Sequence, residues 1–133
     1  MEDRVVVTGL GICAPNGITL NEFTNSLKKG NSGISFQQKL KDINFRCQIA
    51  GIPKIKDEYI NKYFTSLQLK GLNASGLVYG VISGKDAWTD AGLTKAPQDE
   101  PDWDSGIIFG TGILGDDKFR ESIHLIDAGT TRR

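Results

Sequence analysis

The sequence predicts an α/β domain in which a central sheet is covered by helices, and three stretches carry that expectation. Arg4–Gly17, RVVVTGLGICAPNG, and Ser105–Gly115, SGIIFGTGILG, each open on β-branched or apolar residues and then break into glycine. Val5, Val6 and Val7, and later Ile107, Ile108 and Phe109, show no polar alternation. That is the pattern of strands covered on both faces. Between them, from about Leu67 to Ala91, Gly76, Gly80 and Gly84 recur every four residues, and Ser83, Ala87 and Ala91 extend the stripe. Each interior glycine costs a helix about 1 kcal/mol relative to alanine. Three in register make sense if another backbone packs very close, so the segment reads as a buried central helix ended by Gly92.

The remaining elements follow in chain order. Ile18–Lys29 reads as a helix, because Thr19 and Glu22 have capping-box spacing and Ile18 and Phe23 stand at staple positions. Leu20, Phe23 and Leu27 share a face, Lys28 and Lys29 suit the negative C-terminal end, and Gly30 supplies the stop. Asn31–Ser35 is turn-rich. Phe45–Ile52 alternates Phe45, Cys47 and Ile49 against Arg46, Gln48 and Ala50, a half-exposed strand ended by Pro53. Ile55–Phe64 reads as irregular or a short helix. Residues 95–104, KAPQDEPDWD, form an acidic, proline-bearing exposed loop. Asp116 and Asp117 open a last helix with Phe119, Ile123 and Ile126 on one face, stopped by Gly129.

Composition bounds the function. The chain's 133 residues fit one domain and suffice for a real core. Lys+Arg and Asp+Glu are both 16, so a dedicated nucleic-acid binder, which carries a basic excess, is disfavoured. No apolar run reaches membrane-spanning length, and Met1-Glu2-Asp3-Arg4 lacks a signal-peptide pattern, so the expected setting is cytoplasmic. Cys13 and Cys47, with no CxxC, read as reduced thiols packed as small hydrophobes. A single histidine, His124, excludes a multi-histidine metal site within the chain and reads as structural.

Two glycine patterns, Gly9-x-Gly11-x-x-Ala14 and Gly110-x-Gly112-x-x-Gly115, match the dinucleotide-binding fingerprint and follow strand-like runs. Their context opposes that reading. Ala14-Pro15-Asn16-Gly17 is a turn, so the following helix starts too late to aim its amides at a phosphate near Gly9. Asp116 and Asp117 would repel an anion after Gly115.

The same residues carry a family resemblance along essentially the whole chain. RVVVTGLG with Pro15 and Gly17, LKKGNSGIS at the first helix end, the helix ending Trp88-Thr89-Asp90-Ala91-Gly92-Leu93, and SGIIFGTGILG resemble β-ketoacyl-acyl-carrier-protein synthases of the elongating type. The resemblance implies the N-terminal part of a thiolase-like layered α/β/α fold, a mixed sheet covered by helices, with residues 1–133 a single partial domain. It implies fatty acid or polyketide biosynthesis, in which an acyl thioester is condensed with malonyl-carrier protein with loss of CO2. The nucleophilic cysteine and two histidines of such enzymes fall beyond the region this chain covers, so the resemblance implies no catalytic residue here and a piece inactive alone. No cofactor and no metal are implied. The partners implied are the acyl carrier protein and a second subunit, as a homodimer or heterodimer, with neither nucleic acid nor membrane.

Gly112 and Ile113 fall where the family lines its acyl tunnel near the dimer interface. There Ile113 either gates chain length or simply packs a strand end. The usual glycine pair after that isoleucine is replaced by Leu114-Gly115. The basic residues that often precede the long helix and dock the acidic carrier protein are reduced to Lys70 within Thr65–Lys70. Alternative readings are a catalytically silent partner subunit, a stand-alone binding module of this fold, or a nucleotide-binding module. The glycine seam and an open strand edge lead to the expectation that the chain is part of a longer protein or requires a partner chain.

Overall fold

A computed structural model describes residues 4–72, 74–95, 99–112 and 115–130. In chain order it contains α1 (Leu20–Lys28), β1 (Ile34–Phe36), α2 (Gln38–Asp42), β2 (Ile49–Gly51), α3 (Asp57–Ile60), α4 (Ser66–Gly71), α5 (Ser75–Asp90) and α6 (Asp116–Asp127). β1 and β2 pair antiparallel with Ile34 opposite Gly51, Ser35 opposite Ala50 and Phe36 opposite Ile49.

Helix ends obey local chemistry. At α1 the Thr19 hydroxyl accepts the Glu22 amide at 3.2 Å, while the Glu22 carboxylate reaches past it to the Ile18 amide at 3.0 Å. The end of α1 is a Schellman closure: Gly30 at φ +66° donates to the Leu27 carbonyl and Asn31 donates to that of Ser26. Gly92 and Gly129 close α5 and α6 the same way, as their positions in the sequence predict. The end of α2 uses Asn44 at φ +54°, a cap not anticipated, although asparagine tolerates this conformation better than most residues.

Three expectations are corrected. The segment from about Leu67 to Ala91 is two helices, because Thr65 and Gln68 build a reciprocal capping box for α4 and the chain turns extended at Leu72. β1 occupies part of the stretch read as turns. β2 begins only at Ile49, and Phe45, Cys47 and Ile49 all face outward while Ala50 is half-buried, so Cys47 is exposed, not packed in a core. Pro15 packs on this hairpin: a Cβ on Gly51 would lie 2.9 Å from Pro15 Cγ, and one on Gly33 2.7 Å from Pro15 Cβ.

The described residues neither bear out nor oppose the expected covered sheet. Val5–Val7 and Ile107–Phe109 are not strands among the described residues; Val5 is 97% and Ile108 102% exposed. A strand exists only through ladder hydrogen bonds to a neighbour, and no described backbone pairs with either run. Among the described residues only Phe64, Ala74 and Ile82 are buried hydrophobics, so α5 is covered on one side and open on the other. Its covered side takes the N-terminal segment. A Cβ on Gly9 would sit 2.3 Å from the Ala87 carbonyl oxygen, and one on Gly11 1.9 Å from that of Ser83. The Leu10 amide between them donates to Asp90 Oδ2 at 2.9 Å. Further along α5, Gly80 receives the ring of Phe109, and Gly84 meets nothing within 4 Å.

This contrast sets a test in the 133-residue chain. Gly11→Ala should lose about 1–3 kcal/mol in urea denaturation, because the methyl meets backbone that cannot swing away. Gly84→Ala should be neutral or stabilising by up to about 1 kcal/mol, through helix propensity alone.

Candidate functional site

Two groups of side chains converge on α5. On one side stand Tyr59, from α3, and Tyr63, from the turn that follows it. Tyr59 donates to Asp86 Oδ2 at 3.0 Å, Tyr63 donates to Asp86 Oδ1, and the two hydroxyls lie 3.2 Å apart. The rings meet at 5.3 Å between centroids, tilted by 50°. Lys85 donates to the Tyr63 carbonyl at 3.0 Å, so consecutive residues of α5 grip the same turn. Burial raises the pKa of both phenols, and the carboxylate they donate to raises it further, Tyr63 the more strongly. The arrangement stabilises neutral hydroxyls as donors to a fixed carboxylate. It suits holding α3 on α5, and it opposes proton release from either phenol.

On the other side, α5 and the extended segment 105–112 enclose an apolar cleft of about 520 Å³, lined mainly by Leu77, Val81, Trp88, Ile107 and Phe109, with Gly80 and Gly84 on its floor. The Trp88 indole is oriented by donating to the Thr94 carbonyl at 3.1 Å. Such a surface takes up an aliphatic or aromatic group by desolvation and carries little to fix a polar one.

Of the residues singled out in the sequence, Gly112 lies at an exposed bend just past this cleft and does not line it. A Cβ there would meet nothing within 4 Å. Ile113 lies outside the described residues. Cys13 is half-buried, and burial followed by the negative charge of Asp86 raises its pKa, which keeps it a thiol. A thiol is a poor nucleophile compared with its thiolate. His124 is exposed in the last turn of α6. The Tyr59–Tyr63–Asp86 group went unread in the sequence, because its members lie 23 and 27 residues apart with no motif to join them.

The two fingerprint glycines of the N-terminal pattern are accounted for by packing. Their Cα faces lie against α5, and the Leu10 amide is already held by a carboxylate. What remains is a strand-like run delivered onto a small-residue helix.

The profile of the β-ketoacyl synthase N-terminal domain matches residues 2–131. The chain belongs to that family. The chain is 36% identical over 110 residues to 3-oxoacyl-[acyl-carrier-protein] synthase 1 of Buchnera aphidicola, covering 82% of this chain and 26% of that enzyme. The enzyme of the same name from Escherichia coli K12 is 34% identical over the same shares. 3-Oxoacyl-[acyl-carrier-protein] synthase 2 of Vibrio harveyi is 31% identical over 126 residues, 95% of this chain and 28% of that one. The chain thus spans about a quarter of the length of these curated relatives.

Two measurements probe this ketoacyl synthase segment. With a thiol-alkylating reagent at neutral pH and mass-spectrometric readout, Cys47 should react at least about tenfold faster than Cys13, which is shielded and held protonated. The second is alkaline stability. The raised phenol pKa values mean that the tyrosines' contribution is fully present below their ordinary value of 10.0 and is lost as pH rises above it. Unfolding monitored against pH should show a fall in stability above about pH 10 that is reduced in the double variant Tyr59→Phe, Tyr63→Phe.

Proposed function

We propose that the complete protein is a condensing acyltransferase that joins an acyl thioester to malonyl-carrier protein with loss of CO2, and that these residues are the N-terminal part of its thiolase-like layered domain. The observation that carries the reading is the family match over residues 2–131. The relatives' own names, 3-oxoacyl-[acyl-carrier-protein] synthases, support the reaction and the carrier protein as partner.

In the proposed reaction a cysteine thiolate attacks the acyl thioester, forming a new thioester and releasing the carrier thiol. Malonyl-carrier protein then loses CO2, and the electron pair left on its α-carbon attacks the acyl carbonyl. Collapse of the tetrahedral intermediate expels the cysteine thiolate and leaves a 3-oxoacyl chain on the carrier. The resemblance assigns that cysteine and the two histidines to a segment beyond these residues. The protonated state of Cys13 is consistent with this assignment.

The part played by the present residues is architectural and substrate-facing. The Gly9–Gly11 backbone on α5 sets one layer against the next, and the apolar runs Val5–Val7 and Ile107–Phe109 offer strands to a wider sheet. In that sheet Gly112 and Ile113 would border the acyl chain, with Ile113 as the residue that limits its length. A subunit interface adjoining this edge, in a homodimer or heterodimer, belongs to the same proposal.

The intact mass of the protein from its source cells tests the premise. A mass well above that of 133 residues is expected, and a mass equal to it would overturn the reading as an enzyme. In the full-length protein, Ile113→Phe should shorten the longest acyl-carrier substrate accepted while leaving the shortest almost unaffected. Equal loss on all chain lengths would make Ile113 a packing residue only. Condensation absent from an otherwise folded full-length protein would favour a silent partner subunit.

A further inference from the structure

A groove of about 610 Å³ runs between the Ala14–Gly17 turn, α1 and the segment from Lys54 to Lys62. Four lysines line it, Lys29, Lys54, Lys56 and Lys62, against two carboxylates, Glu22 and Glu58. The chain as a whole carries no net charge, so this is a local concentration of positive charge and not a reflection of composition. All four lysines are exposed, and among the described residues none of them forms an ion pair. They come from three separate stretches. Lys29 closes α1, Lys62 follows α3 and stacks 5.0 Å over the Tyr59 ring, and Lys54 and Lys56 alternate with half-buried Pro53 and Ile55 along an extended strip. In extended backbone, residues two apart share a face, so Lys54 and Lys56 stand side by side on the solvent side.

The interior of the groove decides what kind of anion fits. A compact phosphate would seek the amides at the start of α1, but two amides there are already engaged: Glu22 takes the Ile18 amide and Thr19 takes that of Glu22. Glu22 and Glu58 also stand in the groove, where they would oppose a concentrated charge placed between them. An extended acidic chain spreads its charge and need not place it against Glu22 or Glu58. Its carboxylates can reach the separate lysines, while its peptide groups and any polar side chains meet Asn16, Asn25 and Asn31, whose amides both donate and accept.

We propose that this groove is a docking site for an extended acidic segment of another protein. The proposal goes beyond the condensing reaction and does not depend on it. Binding is electrostatically steered and weakens as salt screens the lysines. It involves no covalent step.

The test uses the full-length protein and a fluorescently labelled polyglutamate peptide as the probe, followed by anisotropy at low salt. The triple variant Lys29→Gln, Lys54→Gln, Lys56→Gln keeps Lys62 on its ring. A control with Lys39→Gln, Lys41→Gln and Lys95→Gln removes the same charge from exposed positions elsewhere. The proposal expects the groove variant to bind at least about tenfold more weakly than the control, as loss of several charge contacts implies. Equal weakening in both variants means a response to net charge alone and overturns it. Inorganic pyrophosphate binding more tightly than the peptide, with the same dependence on the groove lysines, also overturns it in favour of a small polyanion. Thermal unfolding of both variants, expected unchanged because the residues are exposed, separates a lost contact from a lost fold. Condensation assays on the same variants keep the two proposals apart, since peptide binding can fail while condensation persists, and the reverse.

Discussion

The structure depends on one close approach, the backbone of Gly9–Gly11 laid directly against the Ser83–Ala87–Ala91 side of α5. No side chain larger than hydrogen fits at either glycine, so the spacing of the two layers is set by backbone atoms. The Leu10 amide, which a neighbouring strand would otherwise receive, is taken by Asp90. From this contact the rest is arranged outward. Asp86, one turn earlier on the helix, collects both tyrosines of the α3 region, and the Pro15 turn settles onto the hairpin through Gly33 and Gly51.

What was legible in the sequence is what is decided locally. The Thr19–Glu22 start and the glycine stops at positions 30, 92 and 129 are chemistry within a few residues, and each is found where the pattern puts it. The Thr65–Gln68 box was equally local but hidden inside a longer apolar pattern, so two helices read as one. The small-residue stripe signalled a close neighbour without identifying it. Ser83, Ala87 and Ala91 meet the N-terminal backbone, Gly80 meets a ring, and Gly84 meets nothing. The alternation at Phe45, Cys47 and Ile49 gave a strand but the wrong inward face, because period two carries no information about which side a partner covers.

The candidate site divides along the same line. The family resemblance directed attention to Gly112 and Ile113, whereas the phenol–carboxylate group and the lysine groove are assembled from residues far apart in the chain. The fingerprint glycines show why a pattern needs its context: glycine permits close approach, and the approaching group here is a helix. Val5–Val7 and Ile107–Phe109 have the composition of strands covered on both faces, yet most of their surface is exposed.

The distance in sequence between Leu10 and Asp90, 80 residues, has a consequence for how the molecule is made. A ribosome releases the valine run first and the helix that receives its neighbour only much later. Helices with self-contained ends form within about a microsecond, so α1 can be in place while Gly9–Gly11 still has nothing to dock against. Contacts of such long range are slow to close. During synthesis the Gly9–Gly11 backbone therefore waits for its partner, and the completion of α5 is the step that gives the Leu10 amide its carboxylate.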